Sequence, residues 1–195
     1  KPGLIPSTQW KKKAKNEPWF PGETISASIG QGYNLITPLQ SASMISTVAN
    51  GGFLVRPYLV KKIEDSEGKV IQEFFPTVVR NVHMDPEILK HLKEGLRGVV
   101  HEPHGTGYRA RLKNIVVSGK TGTAQVVGMK DSENIDSEDE TPYSFRDHAW
   151  FVAYAPYEKP EIAVSVIVEH GGHGGAVAAP IARKILKSYF THYPP

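Results

Sequence analysis

A short stretch in the second half of the sequence combines small, hydroxyl and cationic side chains within a strand-like pattern. The apolar run Ile115–Val117 leads into Ser118–Gln125, in which Lys120, Thr121 and Thr123 stand among glycines. Glycine within a strand costs stability and often marks a place where a ligand or another backbone approaches closely. A strand edge offers hydrogen bonds to an extended peptide, and a lysine with two hydroxyls offers donors to a carboxylate. The stretch therefore predicts a binding wall for an anionic, extended ligand.

Side-chain alternation along a strand divides these donors between two faces. Thr121 and Thr123 fall on one face, whereas Lys120 starts on the other. Lys120 must therefore reach around the strand edge or through a local twist to act together with the two threonines. Gly119 and Gly122 would permit such a twist.

The motif Lys120-Thr121-Gly122 is short, and longer segments around it make it more specific. Lys-Thr-Gly is similar to the third signature of penicillin-binding proteins and serine β-lactamases. The chain resembles the elongation-type class B enzymes, penicillin-binding protein 2, in five segments: Trp19–Thr24, Ile29–Tyr33, Thr37–Gln40, Ser118–Gln125 and His148–Pro156. The resemblance covers nearly the whole chain, but only the later part of that family's transpeptidase domain.

This resemblance implies a peptidoglycan D,D-transpeptidase for cell-wall elongation, which acts on D-Ala-D-Ala stem peptides and is a target of β-lactams. Acyl transfer by a serine needs a nucleophile, a base beside it, and donors for the oxyanion and the substrate carboxylate. By resemblance Lys120 is the catalytic candidate, supplying positive potential and organising a Ser-x-Asn hydroxyl. Thr121, Gly122 and Thr123 would bind substrate, and the backbone N–H of Thr123 would form half of the oxyanion hole.

The sequence departs from the family at the nucleophile. Its one Ser-x-x-Lys, Ser66–Lys69, lies in a predicted turn, whereas a nucleophilic pair needs a helix start that stacks both side chains on one face. Its one Ser-x-Asn, Ser132–Asn134, follows Lys-Thr-Gly, although the family places this element before it. We interpret neither as catalytic. The nucleophile and its base are expected upstream of Lys1, so the chain should hold one wall of an active site and be inactive alone.

Partners and location are also implied by the resemblance: elongation-complex membrane proteins, and the periplasmic face of the cell inner membrane. A membrane anchor is expected upstream of Lys1, since no apolar run here approaches the ~20 residues of a membrane span. The net charge of +3 is too small to argue for nucleic acid, and there is no cysteine for a disulfide or a zinc site. We expect no cofactor. The basic cluster Lys11–Lys13 with Lys15 predicts a solvated face, or a contact with anionic lipid or an acidic partner.

The hydrophobic periodicity predicts an α+β fold, with helices packed on an antiparallel sheet. We expect residues 1–195 to be the C-terminal portion of one transpeptidase domain. Within it, residues 1–36 would form a covering segment, residues 37–114 helices and a hairpin, and residues 115–190 three strands and a last helix. The strands Ile115–Val127, His148–Tyr154 and Ile162–Val168 should be antiparallel neighbours, because no crossover helix joins them.

Local signals add detail to this outline. Thr37 and Asp85 are predicted to begin helices, each before a proline, and Gln40 would complete a capping box. A last helix over 177–190 should pack on the sheet through Ile181 and Ile185. A hairpin and a mobile loop complete the prediction: Phe53–Lys61 paired with Lys69–Phe74 around Asp65–Gly68, and the acid-rich residues 128–142.

Two other kinds of site and one other function are alternatives to this interpretation. Gly119-Lys120-Thr121 resembles the end of a nucleotide-binding P-loop, but the glycine required five positions earlier is Asn114. A metal site at His101 and His104 is disfavoured, because Pro103 breaks the helix that would aim both at one ion. A non-catalytic member of the penicillin-binding fold, used for interaction or sensing, stays open as the alternative function.

Overall fold

The computed structural model describes residues 2–126 and 142–194. Within these ranges it has five α-helices and seven strands, none of the helices long and apolar enough to cross a membrane. The helices are α1 (Thr8–Lys15), α2 (Pro21–Ser28), α3 (Pro38–Ala49), α4 (Pro86–His101) and α5 (Ala178–His192). The strands are β1 (Phe53–Val55), β2 (Lys62–Glu64), β3 (Val70–Glu73), β4 (Val78–Asn81), β5 (Ser118–Ala124), β6 (His148–Ala155) and β7 (Ile162–Val168). The predicted α+β class is confirmed.

The central sheet has the order β5–β6–β7, and both pairings are antiparallel, as predicted. Ser118 lies opposite Tyr154 and Ala124 opposite His148, so the register runs without a bulge along β5. The strand is shorter than the predicted Ile115–Val127: the apolar run before Ser118 lies outside it, and Val127 lies outside the described residues. Most of the predicted loop at 128–142 also lies outside them.

One face of the sheet is covered by α5 through small residues. Ala178, Ala179, Ala182 and Leu186 are fully buried there, against sheet residues that include Phe151. The predicted contacts through Ile181 and Ile185 are wrong, because these side chains are 37% and 43% exposed. Sequence reasoning followed the bulkiest apolar residues, whereas the alanines let the helix axis approach the strands closely.

The opposite face of the sheet packs against α3 and α4. Ile45, Ala49 and Leu96 from these helices meet Val152 and Tyr154 of β6. Both helices begin as predicted: Thr37 and Gln40 form a reciprocal capping box before α3, and Asp85 accepts the backbone N–H of Glu87 at the start of α4. The sheet is thus the middle layer of three, with β6 covered on both faces.

The predicted hairpin between Phe53 and Phe74 is only partly right. A hairpin does turn at Asp65–Gly68, but its first strand is β2, which pairs with β3. Strand β1 instead pairs with β4, a strand that was not predicted. Pro57 interrupts the predicted strand Phe53–Lys61, so that its two halves can join different partners.

Residues 1–36 contain two helices that the sequence did not predict. Lys11 of α1, expected on a solvated face, is only 1% exposed, and it forms ion pairs with Glu17 and Glu23. Burial works to lower the pKa of Lys11, but the contacts with the two glutamates outweigh it and raise the pKa. The same contact, with a hydrogen bond from the N–H of Phe20, lowers the pKa of Glu23. The solvated-face interpretation is therefore wrong for Lys11.

Adjacent residues of α5 provide a test of its buried face. Leu186→Ala should lower the free energy of unfolding by about 2–5 kcal/mol, because it leaves a cavity between the helix and the sheet. Ile185→Ala removes a side chain of the same size from a half-exposed position and should cost less than about 1 kcal/mol. Urea denaturation of the two variants measures both values, and equal losses would contradict the packing described.

Candidate functional site

Strand β5 lies at the edge of the described sheet and presents backbone groups outward. The carbonyl oxygen of Thr123 accepts a hydrogen bond from Gln31 Nε2 at 3.0 Å, and that of Thr121 accepts one from Lys120 Nζ at 2.9 Å. In an antiparallel ladder the N–H and C=O of one residue point to the same side. The N–H groups of Thr121 and Thr123 therefore also face the open edge.

The side chains of Thr121 and Thr123 line an open groove of about 350 Å³. Its other lining residues are Thr106, Tyr108, Arg109, His173, Gly174, Gly175 and Ala176. The hydroxyls of Thr106 and Thr121 are hydrogen-bonded at 3.0 Å. The groove is thus formed by β5, the loop after α4 and the glycine-rich segment before α5. Two hydroxyls of neighbouring segments meet in it, and because one of them donates to the other, the second remains able to donate to an anion.

Lys120 lies on the opposite face of β5 from the two threonines, as the alternation predicted, and its side chain is exposed. Its hydrogen bond to the Thr121 carbonyl brings the ammonium group to the strand edge. The cation and the outward N–H groups consequently lie along the same edge.

Arg109 supplies a cation to the lining of the groove and was not identified from the sequence. Its Nη1 donates to the carbonyl of Ala176 at 3.1 Å, and its Nε to the Tyr108 hydroxyl at 3.2 Å. These bonds join the loop after α4 to the segment before α5. An arginine in a loop gives no local signal of such a role, because its partner is 67 residues away.

The glycines of the site are required by close backbone packing. A Cβ at Gly119 would lie 2.6 Å from the carbonyl oxygen of Val152 and 2.7 Å from the ring of Phe151. A Cβ at Gly174 would overlap the carbonyl oxygens of Trp150 and Gly122. The sequence suggested a close approach at this strand, and neighbouring segments of the chain make that approach at Gly119 and Gly122. None of these glycines has a positive φ.

The chain matches the family model of the penicillin-binding protein transpeptidase domain over residues 5–187. It belongs to this family. The peptidoglycan D,D-transpeptidase MrdA of Haemophilus influenzae is 39% identical over 190 residues, which are 96% of this chain and 29% of the relative. The chain therefore spans about three tenths of the length of the curated relatives it matches.

Solved structures of penicillin-binding proteins have a fold similar to that of this chain. The chain superimposes on PBP2 of Pseudomonas aeruginosa in complex with WCK 5153 with a TM-score of 0.74 and 36% identity, over 96% of this chain and 38% of that one. It superimposes on PBP2 of Helicobacter pylori in complex with MreC with a TM-score of 0.70 and 30% identity, over 98% of this chain and 32% of that one.

The Ser-x-x-Lys motif of the sequence does not line the groove. Ser66 and Lys69 lie in the exposed turn between β2 and β3, where Asp65 Oδ1 accepts the N–H of Lys69 and Gly68 has a φ of +82°. The turn geometry prevents the helical stacking that a Ser-x-x-Lys pair needs. Ser132–Asn134 lies outside the described residues.

His101 supports β5 from the end of α4. One of its ring nitrogens, Nε2, accepts the backbone N–H of Val117 at 3.2 Å, directly before the strand begins. Burial lowers the pKa of His101, and the nearby cations Arg111 and Arg97 lower it further. Groups of three or more His, Cys, Asp or Glu side chains that could hold a metal do not occur in residues 2–126 and 142–194.

The lowered pKa of His101 makes the fold sensitive to acid. The unfolded chain binds this proton at the ordinary pKa of 6.5, whereas the folded chain binds it only at a lower pH. The free energy of unfolding should therefore decrease as the pH falls below about 6.5. His101→Gln keeps an acceptor for Val117 without a titrating ring, so its stability should fall less over this range. Urea denaturation between pH 7.5 and about 5 measures both slopes, and parallel slopes would contradict the assignment.

Proposed function

We propose that this chain is the C-terminal portion of the transpeptidase domain of a peptidoglycan D,D-transpeptidase for cell-wall elongation. The observation that carries the proposal is the edge of β5, where outward N–H groups and the ammonium of Lys120 lie beside the groove that Thr121 and Thr123 line. Membership of the penicillin-binding transpeptidase family and 39% identity to a D,D-transpeptidase support it.

The substrate roles follow from the donors on this edge. The hydroxyls of Thr121 and Thr123 bind the terminal carboxylate of a D-Ala-D-Ala stem peptide or of a β-lactam, because both can donate into the groove. Gly122 between them places no side chain on the opposite face of the strand, beside Lys120. Lys120 and Arg109 add positive potential that favours an anionic ligand.

The catalytic role of this wall is to stabilise charge that a nucleophile creates. The N–H of Thr123 points outward from β5 and is one donor for the oxyanion formed when a serine attacks the carbonyl of the penultimate residue. Lys120 is the catalytic residue that this chain contributes, through its charge at the edge. The attacking serine and its base come from a segment other than those described, since the Ser66–Lys69 pair lies in a turn.

The proposed partners and location complete the function. The Helicobacter pylori neighbour forms a complex with MreC, which supports membrane-associated proteins of cell elongation as partners of this chain as well. A cell-envelope location, at the periplasmic face of the inner membrane, suits an enzyme whose substrate is peptidoglycan. The family's name supports β-lactams as ligands.

Substitutions on β5 test the proposed roles in the full-length protein that carries this chain. Thr123→Val should slow acylation by a fluorescent penicillin about tenfold to a hundredfold, because a hydrogen bond to a charged partner is lost. Lys120→Ala should slow it more, because it removes the field that the anionic ligand meets.

Two substitutions on α5 serve as matched controls. Thr191→Val removes a hydroxyl that bonds only within its helix, and Lys184→Ala removes an exposed charge. Stopped-flow acylation rates should be unchanged in both. If the Thr123→Val and Lys120→Ala variants are also acylated at the parental rate, the roles proposed for these two residues are contradicted.

The isolated 195-residue chain should not form a covalent adduct with penicillin. Covalent binding requires a serine activated by a neighbouring base, and the only Ser-x-x-Lys of the sequence, Ser66–Lys69, is held in an exposed turn. Incubation with penicillin followed by intact mass measurement tests this. A stoichiometric penicilloyl adduct would refute the expectation, and its location at Ser66 would assign that turn a catalytic role.

A further inference from the structure

The outward carbonyl of Thr123 already has a hydrogen-bond donor from within the chain. Gln31 Nε2 donates to it at 3.0 Å, although the two residues are 92 positions apart. The resemblance to known transpeptidases implies roles for Lys120, Thr121 and Thr123, but none for the side chain of Gln31.

The turn that carries Gln31 is itself fixed by local bonds. The N–H of Gln31 donates to the carbonyl of Ser26 at 2.9 Å, at the end of α2. Asn34 Nδ2 donates to the carbonyls of Gln31 and Ala27, both at 3.0 Å. Gly32 adopts a φ of +70°, which favours glycine at this turn. These bonds hold the backbone, so that the side chain of Gln31 reaches β5 from a positioned turn.

An extended peptide that pairs with β5 needs the same carbonyl. A residue opposite Thr123 in an antiparallel pair accepts the N–H of Thr123 and donates its own N–H to the C=O of Thr123. If the carbonyl oxygen of the penultimate substrate residue lies on the Thr123 N–H, the N–H of that residue is directed at the atom that Gln31 occupies. The side chain of Gln31 donates an amide N–H, as the peptide N–H of the ligand would do in its place.

We propose that Gln31 is a specificity-determining residue, whose amide stands in for the substrate N–H on Thr123 and is displaced when the ligand binds. This inference rests on the proposed function. In the wild-type protein the ligand exchanges one hydrogen bond to Thr123 for another and gains little from its N–H. Without the Gln31 amide, the ligand N–H replaces only water and gains the net value of a hydrogen bond.

A matched pair of ligands isolates this effect. One β-lactam carries an acylamino side chain, and the other carries an acyloxy side chain in which an ester oxygen replaces the N–H. The measured quantity is the ratio of their second-order acylation rate constants with the full-length protein. A general loosening of the fold changes both rate constants together and leaves the ratio unaltered.

Gln31→Met removes the donor while it keeps the length of the side chain. It should raise the ratio in favour of the acylamino ligand by about two- to tenfold, the factor that corresponds to the net value of one hydrogen bond. Gln31→Ala should raise it by a similar factor and replaces the Met variant if that protein folds poorly.

Gln72→Met is the control, because it makes the same replacement at an exposed position of β3 outside the groove, and its ratio should stay at the wild-type value. An unchanged ratio in both Gln31 variants, or an equal rise in Gln72→Met, would overturn the inference. Failure of the wild-type protein to react with either ligand would instead contradict the proposed function.

Discussion

The pairing of β5 with β6 is the constraint on which the candidate site depends. Their unbroken register turns the backbone of Gly122 towards β6 and that of Thr121 and Thr123 towards the open edge. A slip of one residue would exchange these directions and move both threonine side chains to the other face. The register is in turn secured by burial of β6, whose two faces pack against different helices. The chemistry of the edge therefore depends on packing that lies one strand away from it.

The parts of the fold that could be predicted are those with local causes. The starts of α3 and α4 follow from a cap and a proline, and the three central strands follow from apolar runs without crossover helices. The errors arose where tertiary packing decided the outcome. Alanines rather than isoleucines form the buried face of α5, and the stretch after Phe53 is divided between two strand partners. The hydrophobic periodicity of each segment alone determines neither the buried face of α5 nor the strand partners.

For the site, motif and alternation located the strand and its two faces, but not what surrounds them. Lys120 was correctly placed opposite the threonines, and its side chain does reach the edge. Thr106, Arg109 and Gln31 were missed, because each is joined to the site by a contact between distant segments. The pair Gly105 and Gly107 around Thr106 was the one available signal, since both glycines pack tightly against neighbouring atoms. The burial of Lys11 likewise depends on glutamates that a count of basic residues ignores.

The contacts that complete the groove also bear on the order in which the chain folds. Thr106 and Thr121 are separated by 15 residues, whereas Arg109 and Ala176 are separated by 67 and Gln31 and Thr123 by 92. Bringing together the ends of a long loop costs entropy before any contact is formed, so contacts of this kind tend to form slowly. The sheet can assemble from neighbouring strands. The groove is complete only when the segment before α5 and the turn after α2 have packed against β5. We therefore expect a binding-competent groove to form late in folding.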